Sequence, residues 1–296
     1  MRQRKVPPSA RYRDFTVLLA RQRSGTNALR SVLGTHPGIH CFYEVLHEEL
    51  CHSKFDTLRA QSYFHWLVHE AGDDVERFMP GQQEAQFTAF LDHLRTLTPC
   101  PVKVIDVKYN MVHLLSPTYQ ALGTYALFEL ITERRLRVLN LVRRNYLRPY
   151  LSRLRAAITG DHGVRADAVV EEPTVRVKVR DLARKLEQFR REDLLVERAF
   201  GSYRGYLKCE YSELFTPEGT ADPVALERIA SWLGVEPTFD LVPKTKKLTA
   251  LPLWEAIENW DEVQAALRPT RFAYCLDDEP SYVARAGGGS DPAAGA

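Results

Sequence analysis

The stretch FTVLLA at residues 15–20 runs directly into RQRSGTN at residues 21–27, and this junction is the strongest indication of the fold class. Residues 15–20 form a short apolar run bounded by polar residues, which predicts a buried strand. The segment Asn27–Thr35 is predicted as a helix that stops at the turn HPG, residues 36–38. A strand that passes through a short glycine loop into a helix can hold an oxyanion, because loop N–H groups and the helix N-terminus point at it.

Strand-like and helix-like segments alternate along the rest of the chain. Further strands are predicted at Val102–Lys108, Arg137–Val142 and Tyr206–Tyr211. The predicted helices are about Phe55–Leu97 with a break near 79–81, Tyr119–Leu130, one from about Leu147, Leu182–Phe200, and Pro223–Leu233 ended by Gly234. Strands separated by helices predict an α/β fold with a parallel sheet covered on both faces. Ligands of such sheets bind at the carboxyl ends of the strands.

Composition and length bound the class of protein. The chain has 296 residues, of which 45% are hydrophobic and 26% charged, as in an ordinary soluble globular protein. These values exclude collagen, a wholly disordered chain and a disulfide scaffold. Lys and Arg number 40 against 38 Asp and Glu, so a net charge of +2 gives no bulk argument for a nucleic-acid or membrane partner. Any cationic chemistry must therefore be local.

Cysteine usage and the chain ends predict the compartment and the domain limits. The five cysteines are widely spaced and form no C-x-x-C, which favours reduced thiols in a cytoplasmic protein. Residues 1–12 are basic without an apolar stretch, so they predict a flexible arm rather than a signal peptide. No run of about 18 apolar residues occurs, which predicts no membrane span. We expect one α/β domain over 13–282 and a disordered tail over 283–296.

The loop at 21–27 carries the groups that an anion needs. Ser24 and Thr26 supply hydroxyl donors, Gly25 permits the turn, and Arg23 adds a full positive charge with a planar fork. A Walker A motif is not matched, because G-x-x-x-x-G-K-[ST] requires a longer loop and a lysine directly before the hydroxyl residue. An N-cap on an ordinary strand–helix turn would also use Ser and Thr, so the loop by itself leaves both interpretations open.

A second cationic motif follows the predicted strand at 137–142. The sequence Arg143-Arg144-Asn145 places Arg144 at the carboxyl end of that strand, and Ser152 lies eight residues further on the next helix. An arginine and a hydroxyl at that edge predict a second anion site. Most other arginines between 134 and 155 are interpreted as solvated or paired charges.

The R-x-R-S-G-T-N loop and the later V-R-R-N-x6-S motif together resemble the sulfotransferase family over about residues 14–275. The form of the second motif is most similar to the bacterial carbohydrate branch, typified by nodulation-factor and trehalose sulfotransferases. The resemblance implies a P-loop-NTPase-like three-layer fold with helical insertions. It also implies transfer of a sulfuryl group from 3′-phosphoadenosine 5′-phosphosulfate (PAPS) to an acceptor hydroxyl, with 3′-phosphoadenosine 5′-phosphate (PAP) as product and no metal.

The resemblance assigns roles to residues of both motifs. It implies that the loop holds the 5′-phosphosulfate, that Arg23 also stabilises the leaving group, and that Arg144 and Ser152 hold the 3′-phosphate. Lys246, within the basic segment 244–247, matches the C-terminal element that closes over the nucleotide, although the R-K-G triplet of cytosolic members is absent. A solvated loop is the other interpretation of that segment. The loop residues concerned are Arg23, Ser24, Gly25, Thr26 and Asn27.

The acceptor hydroxyl needs a base to take its proton. Glu44 follows the His-Pro turn at 36–37, where the bacterial carbohydrate branch has its base, although its neighbours differ from the G-E-P or G-E-L context of that branch. His47 is the alternative base, because cytosolic relatives use a histidine. Lys108 ends its strand at the expected catalytic edge, where it would contact donor or acceptor.

Other classes of function stay open at this point. A P-loop kinase or NTPase would bind Mg²⁺-ATP and carry a Walker lysine, which the chain lacks, and a nucleotide-binding module would bind without turnover. His65 and His69 have the spacing of a zinc pair, but no third ligand follows at a diagnostic distance, so no metal is expected. The acceptor is expected to be a carbohydrate or another small molecule. Some relatives dimerise, so a homodimer is one expected state.

Overall fold

A five-stranded parallel sheet flanked by helices organises the fold, in a computed structural model that describes residues 12–71, 82–115, 125–160, 173–216, 218–244 and 251–278. The strand order is β2-β3-β1-β4-β5. The strands are β1 (Phe15–Ala20), β2 (Ile39–Glu44), β3 (Val102–Lys108), β4 (Arg137–Val142) and β5 (Tyr206–Glu210). The predicted α/β class is therefore confirmed, and the arrangement is consistent with a P-loop-like fold.

The helices connect and follow these strands. The α-helices are α1 (Thr26–Leu33), α2 (Asp56–Ala60), α3 (Tyr63–Ala71), α4 (Gln83–Leu97), α5 (Ala126–Glu133), α6 (Leu147–Thr159), α7 (Leu182–Phe200), α8 (Tyr211–Leu214), α9 (Pro223–Leu233), α10 (Leu253–Ala256) and α11 (Trp260–Leu267). Short 3₁₀ helices lie at Glu48–His52, Tyr109–Leu115, Val179–Asp181 and Ala273–Leu276. No helix in the described part of the chain combines the length and apolar character that a membrane crossing needs.

The described residues divide into two compact units. The first unit takes its residues from 1–22, 33–140 and 198–208, and it contains β1, β2, β3 and most of β4 and β5. The second unit takes its residues from 23–32, 141–197 and 209–296. The predicted arm and tail fall almost wholly outside the described residues, so those domain limits stay predictions. Tyr12, at the end of the predicted arm, is buried and donates a hydrogen bond to Asp92.

The first unit has its core on the sheet and on α3 and α4. Every residue of β1 and of β3 is buried, as expected for strands of a parallel sheet with both faces covered. The rings of Tyr63, Phe87 and Phe90 pack in edge-to-face and tilted pairs between α3 and α4. Each such ring, when fully buried, contributes about 1.5–3 kcal/mol through the apolar surface it removes from water.

The second unit has its core between α6, α7, α10 and α11. The helices contribute buried aliphatic and aromatic side chains to one cluster, which includes Leu151, Leu186, Phe189, Leu253 and Val263. Helix α6 ends at Gly160 in the left-handed conformation, which suits a residue without a Cβ. The predicted helix at 223–233 is observed, with the Asp222 carboxylate capping its N-terminus and Gly234 ending it.

Sequence and structure agree on most elements and differ where local signals are weak. The strands β1, β3 and β4 have the predicted bounds, and β5 ends one residue early at Glu210. The predicted helix at 55–97 is three helices, α2, α3 and α4, and its predicted break at 79–81 lies outside the described residues. Strand β2 was not predicted, because only Ile39 and Phe42 of its six residues are buried and no apolar run marks it.

Candidate active site

The loop between β1 and α1 has two residues with positive φ. Arg23 has φ 69° and Gly25 has φ 95°. The left-handed conformation costs a non-glycine residue about 1–2 kcal/mol, so Arg23 is held there by its surroundings. The Gly25 carbonyl accepts a hydrogen bond from Leu29 N at 3.1 Å, and this bond begins the first turn of α1. The side chains of Ser24 and Thr26 are buried beside this turn.

The ring of Tyr211 lies directly against Gly25. A Cβ on Gly25 would stand 2.5 Å from Cε2 and 2.6 Å from Cδ2 of that ring, so no larger residue fits. The same ring lies under the guanidinium of Arg143, whose Cζ is 4.4 Å from the ring centroid, as in a cation–π contact. Tyr211 therefore packs against both the loop and the second arginine motif. We did not predict this role, and the only sequence signal is an aromatic residue at the carboxyl end of β5.

Arg144 points away from the core and forms an ion pair. Its side chain is 69% exposed and pairs with the carboxylate of Glu210, which is 15% exposed. Because Glu210 precedes Tyr211, the two predicted anion motifs come together around the carboxyl ends of β4 and β5. We call residues 23–27, Arg143, Arg144, Glu210 and Tyr211 the loop cluster.

Asn145, the last residue of the R-R-N motif, makes hydrogen bonds to backbone groups. Its Oδ1 accepts a hydrogen bond from Leu147 N at 3.2 Å, at the start of α6. Its Nδ2 donates to the carbonyls of Cys275 and Asp277, at 3.1 and 3.0 Å. Ser152 lies on α6 and is buried. Asn145 thus fastens the C-terminal segment to the start of α6.

Arg148 is wholly buried and has a structural role. Its Nε donates to Asp278 Oδ1 at 2.8 Å and its Nη1 to the Leu251 carbonyl at 2.8 Å.

The predicted basic segment at 244–247 is described only at its first residue, where Lys244 N donates to Ser31 Oγ on α1 at 3.1 Å. Lys246 lies outside the described residues, and its role stays a prediction. The chain on either side of it is attached to α1 and to α6.

Glu44 ends β2 at a β-bulge. Cys41 stands opposite Val104 on β3, but Glu44, three residues on, stands opposite Asp106, only two residues on. The extra residue re-aims the side chains that follow, so Glu44 rather than Tyr43 faces Asp106. The bulge is fixed by Gln61, because its Oε1 accepts a hydrogen bond from Tyr43 N at 2.7 Å.

Lys108, at the end of β3, joins Glu44 to a buried carboxylate. Its Nζ donates to both oxygens of Asp106, at 2.6 and 2.7 Å, and lies 3.4 Å from Glu44 Oε1. The side chains of Asp106 and Lys108 are 0% and 2% exposed, whereas Glu44 is 23% exposed. We call Glu44, Asp106 and Lys108 the base cluster. The sequence predicts a role for Glu44 and Lys108 but not for Asp106, because an alternating strand does not reveal which charges are buried.

His47 has a structural contact. Its Nδ1 accepts a hydrogen bond from Glu49 N at 3.3 Å, which caps the 3₁₀ helix at 48–52. A ring nitrogen in this contact holds a backbone N–H rather than a substrate proton. The contact favours Glu44 over His47 as the candidate base.

The histidines of α3 do not belong to a metal centre of the described residues. The rings of His65 and His69 meet edge to face, with centroids 4.1 Å apart. The pKa of His65 is lowered, first by burial and then by the positive charges of its neighbours. Among residues that the structure describes, no group of three or more His, Cys, Asp or Glu side chains is placed to hold a metal ion.

Comparisons with known proteins reach only the level of the fold. No protein-family model matches the chain, and no curated protein matches it in sequence. Among solved structures, the chain is similar to the crystal structure of a sulfotransferase from Alicyclobacillus acidocaldarius, with 13% sequence identity and a TM-score of 0.44. The match covers 90% of this chain and 95% of that one.

Proposed function

We propose that the chain is a sulfotransferase that uses PAPS as donor and a hydroxyl of a carbohydrate or another small molecule as acceptor. The observation that carries this proposal is the packing of Tyr211 against both Gly25 and Arg143. PAPS has an anionic group at each end, so it requires two anion-binding elements in one site. An enzyme that binds a nucleoside triphosphate instead gathers all phosphates on one loop with a lysine and Mg²⁺.

The residues of the loop cluster fit such a donor. The first turn of α1 supplies N–H groups without partners inside the helix, and Arg23 adds a full charge beside them. When bound, PAPS supplies the sulfuryl group, and PAP is the leaving group. Arg23, the Thr26 hydroxyl and the N-terminus of α1 stabilise the negative charge that develops on the leaving phosphate. These are the roles that the motif resemblance implies.

Arg144 is proposed to hold the 3′-phosphate, with Ser152 on α6. The guanidinium of Arg144 is largely exposed although Glu210 is not, so this cation can turn from the carboxylate to a phosphate that enters from solvent. A phosphate dianion accepts both N–H groups of a guanidinium fork, which gives a strong charge-assisted contact. Binding energy at this remote group fixes the position of the reacting end.

Glu44 is proposed as the general base. The strands β1, β2 and β3 are parallel, so Ala20, Glu44 and Lys108 end at the same edge of the sheet, and the loop begins directly after Ala20. The acceptor oxygen forms a bond to sulfur, the bond from sulfur to the leaving phosphate oxygen breaks, and the hydroxyl proton moves to the Glu44 carboxylate.

A cytoplasmic location is proposed as well. All five cysteines are free thiols, which supports a reducing compartment.

The test is transfer of ³⁵S from labelled PAPS to a panel of carbohydrate and phenolic acceptors. We expect labelled product with at least one hydroxyl acceptor, without added metal. A parallel reaction with γ-labelled ATP and Mg²⁺ is expected to give no transfer. Phosphoryl transfer from ATP would contradict the proposal and favour a kinase. Binding of PAP without transfer of ³⁵S to any acceptor would favour a nucleotide-binding module.

A further inference from the structure

Asp106 is a buried carboxylate with no assigned part in the proposed reaction. Both of its oxygens accept hydrogen bonds from Lys108 Nζ, at 2.6 and 2.7 Å, and neither side chain reaches solvent to any extent. A buried ion pair seldom stabilises a fold more than apolar residues of the same volume would. The pair at Asp106 and Lys108 therefore calls for an explanation other than stability.

Glu44 is the second carboxylate within reach of the same ammonium. Its Oε1 lies 3.4 Å from Lys108 Nζ, which is longer than either contact to Asp106. Two carboxylates thus face the Lys108 ammonium, and the shorter distances show that its stronger interaction is with Asp106. The bulge in β2 is what brings Glu44 opposite Asp106.

We infer that Asp106 is a positioning residue, which holds the Lys108 ammonium so that it does not close onto Glu44. A carboxylate engaged by a lysine at hydrogen-bond distance is stabilised in its charged form and accepts a proton less readily. With Lys108 held by Asp106, the Glu44 carboxylate stays available to the acceptor hydroxyl. The inference rests on the proposed role of Glu44 as general base.

The variant Asp106→Asn separates this role from simple packing. It keeps the size of the side chain and removes its charge, so Glu44 becomes the one carboxylate of the base cluster. We expect Lys108 Nζ to move to about 2.8 Å from a Glu44 oxygen in a crystal structure of the variant. We expect kcat for PAPS-dependent transfer to fall about ten- to a hundredfold, with KM for PAPS and binding of PAP unchanged.

A matched control lies at the other end of the same strand. Lys103 Nζ is 3.4 Å from an oxygen of Asp14, which also pairs with Arg95 at 2.6 Å. Asp14→Asn removes a carboxylate from a buried lysine of β3 without touching the base cluster. We expect Asp14→Asn to lower the free energy of unfolding and to leave kcat unchanged.

A double-variant cycle keeps the inference testable if Asp106→Asn does not fold. If the effect of Asp106 passes through Lys108, adding Asp106→Asn to Lys108→Met leaves kcat as it is in Lys108→Met. The double variant also leaves no unpaired charge at the two buried positions. A further fall in kcat on adding Asp106→Asn would overturn the inference.

The outcomes of the single variants are distinct. A short Lys108–Glu44 contact together with a reduced kcat in Asp106→Asn supports the inference. Wild-type kcat in Asp106→Asn overturns the inference, and so does a reduced kcat with the Lys108 ammonium unmoved. In either case the proposed function stands as long as Glu44→Gln is inactive. Wild-type kcat in Glu44→Gln would overturn the assignment of the base, and this inference with it.

Discussion

The candidate nucleotide site around Tyr211 and the candidate base around Lys108 differ in how exposed their charges are. The cation of the nucleotide site is exposed and can exchange its partner. The charges that hold the candidate base are almost wholly buried. Arg144 is 69% exposed and Lys108 is 2% exposed, although each forms an ion pair with a glutamate. An exposed cation exchanges its partner at little cost, and buried charges keep theirs. Changes at Gly25 and Arg144 should therefore alter ligand binding, and changes in the base cluster should alter the rate of the reaction.

The largest expected effect is on the rate, at Glu44. Glu44→Gln keeps the shape of the side chain and removes the proton acceptor, so kcat should fall about 10²- to 10⁴-fold. Titration calorimetry should give the same affinity for PAP as in the wild type. His47→Ala is the control, because it removes a cap to Glu49 N and should change kcat little. The opposite pattern, an active Glu44→Gln and an inactive His47→Ala, would make His47 the base.

The next effect is on binding, at Gly25. Gly25→Ala puts a Cβ 2.5 Å from the Tyr211 ring, well inside van der Waals contact, at a backbone φ that favours glycine, so the loop must move. We expect the affinity for PAP to fall below the range that titration calorimetry detects. Gly160→Ala is the matched control, because Gly160 also has positive φ but nothing lies within 4 Å of its added Cβ. Gly160→Ala should cost about 1 kcal/mol of stability and leave PAP binding intact.

A smaller effect on binding is expected at Arg144. Arg144→Ala should weaken PAP about ten- to a hundredfold, as expected for loss of a charged hydrogen-bond donor. The same variant should bind adenosine 5′-phosphosulfate as the wild type does, because that nucleotide has no 3′-phosphate. Arg176→Ala removes a similarly exposed arginine, which pairs with Glu262, and should change neither affinity. Equal weakening of both nucleotides by Arg144→Ala would contradict the assignment of the 3′-phosphate.

The smallest effect at neutral pH is expected in the aromatic core of the first unit. Burial raises the pKa of Tyr63 to about 12, so the folded state holds this proton more tightly than the unfolded chain, where a tyrosine titrates near 10. Stability from Tyr63 is thus complete below about pH 10 and is lost as pH rises toward 12. Urea unfolding should show a loss of about 1.4 kcal/mol between pH 9 and 11 in the wild type that Tyr63→Phe lacks. Identical losses in both proteins would contradict the raised pKa.

The sequence alone predicts the loop cluster better than the base cluster. Residues 23–27 and Arg144 follow apolar, β-rich runs, so local pattern locates them at carboxyl ends of strands. The resemblance to the bacterial carbohydrate branch implies Glu44 after the His-Pro turn, but the neighbour of Glu44 across the sheet depends on a bulge. No local pattern reveals that bulge, because the register of β2 on β3 is set between segments far apart in the chain.

Two residues show why the remainder of both sites escaped prediction. Tyr211 lies at the end of an expected strand, and nothing local indicates that its ring covers Gly25. Asp106 alternates with apolar residues in β3 as a solvent-facing residue would, yet it is wholly buried with Lys108 donating to both of its oxygens. Burial of a charge depends on its partner in three dimensions, and a single sequence records only the residue type.

We propose that the loop and the arginines after β4 form one site for a nucleotide with an anionic group at each end. Calorimetric titration of the wild-type protein with PAP, with adenosine 5′-phosphate and with Mg²⁺-ATP is the test of this site. PAP should bind at least about tenfold more tightly than adenosine 5′-phosphate, because only PAP carries the 3′-phosphate for Arg144. Equal affinity for PAP and adenosine 5′-phosphate, or tighter binding of Mg²⁺-ATP than of PAP, would contradict the account.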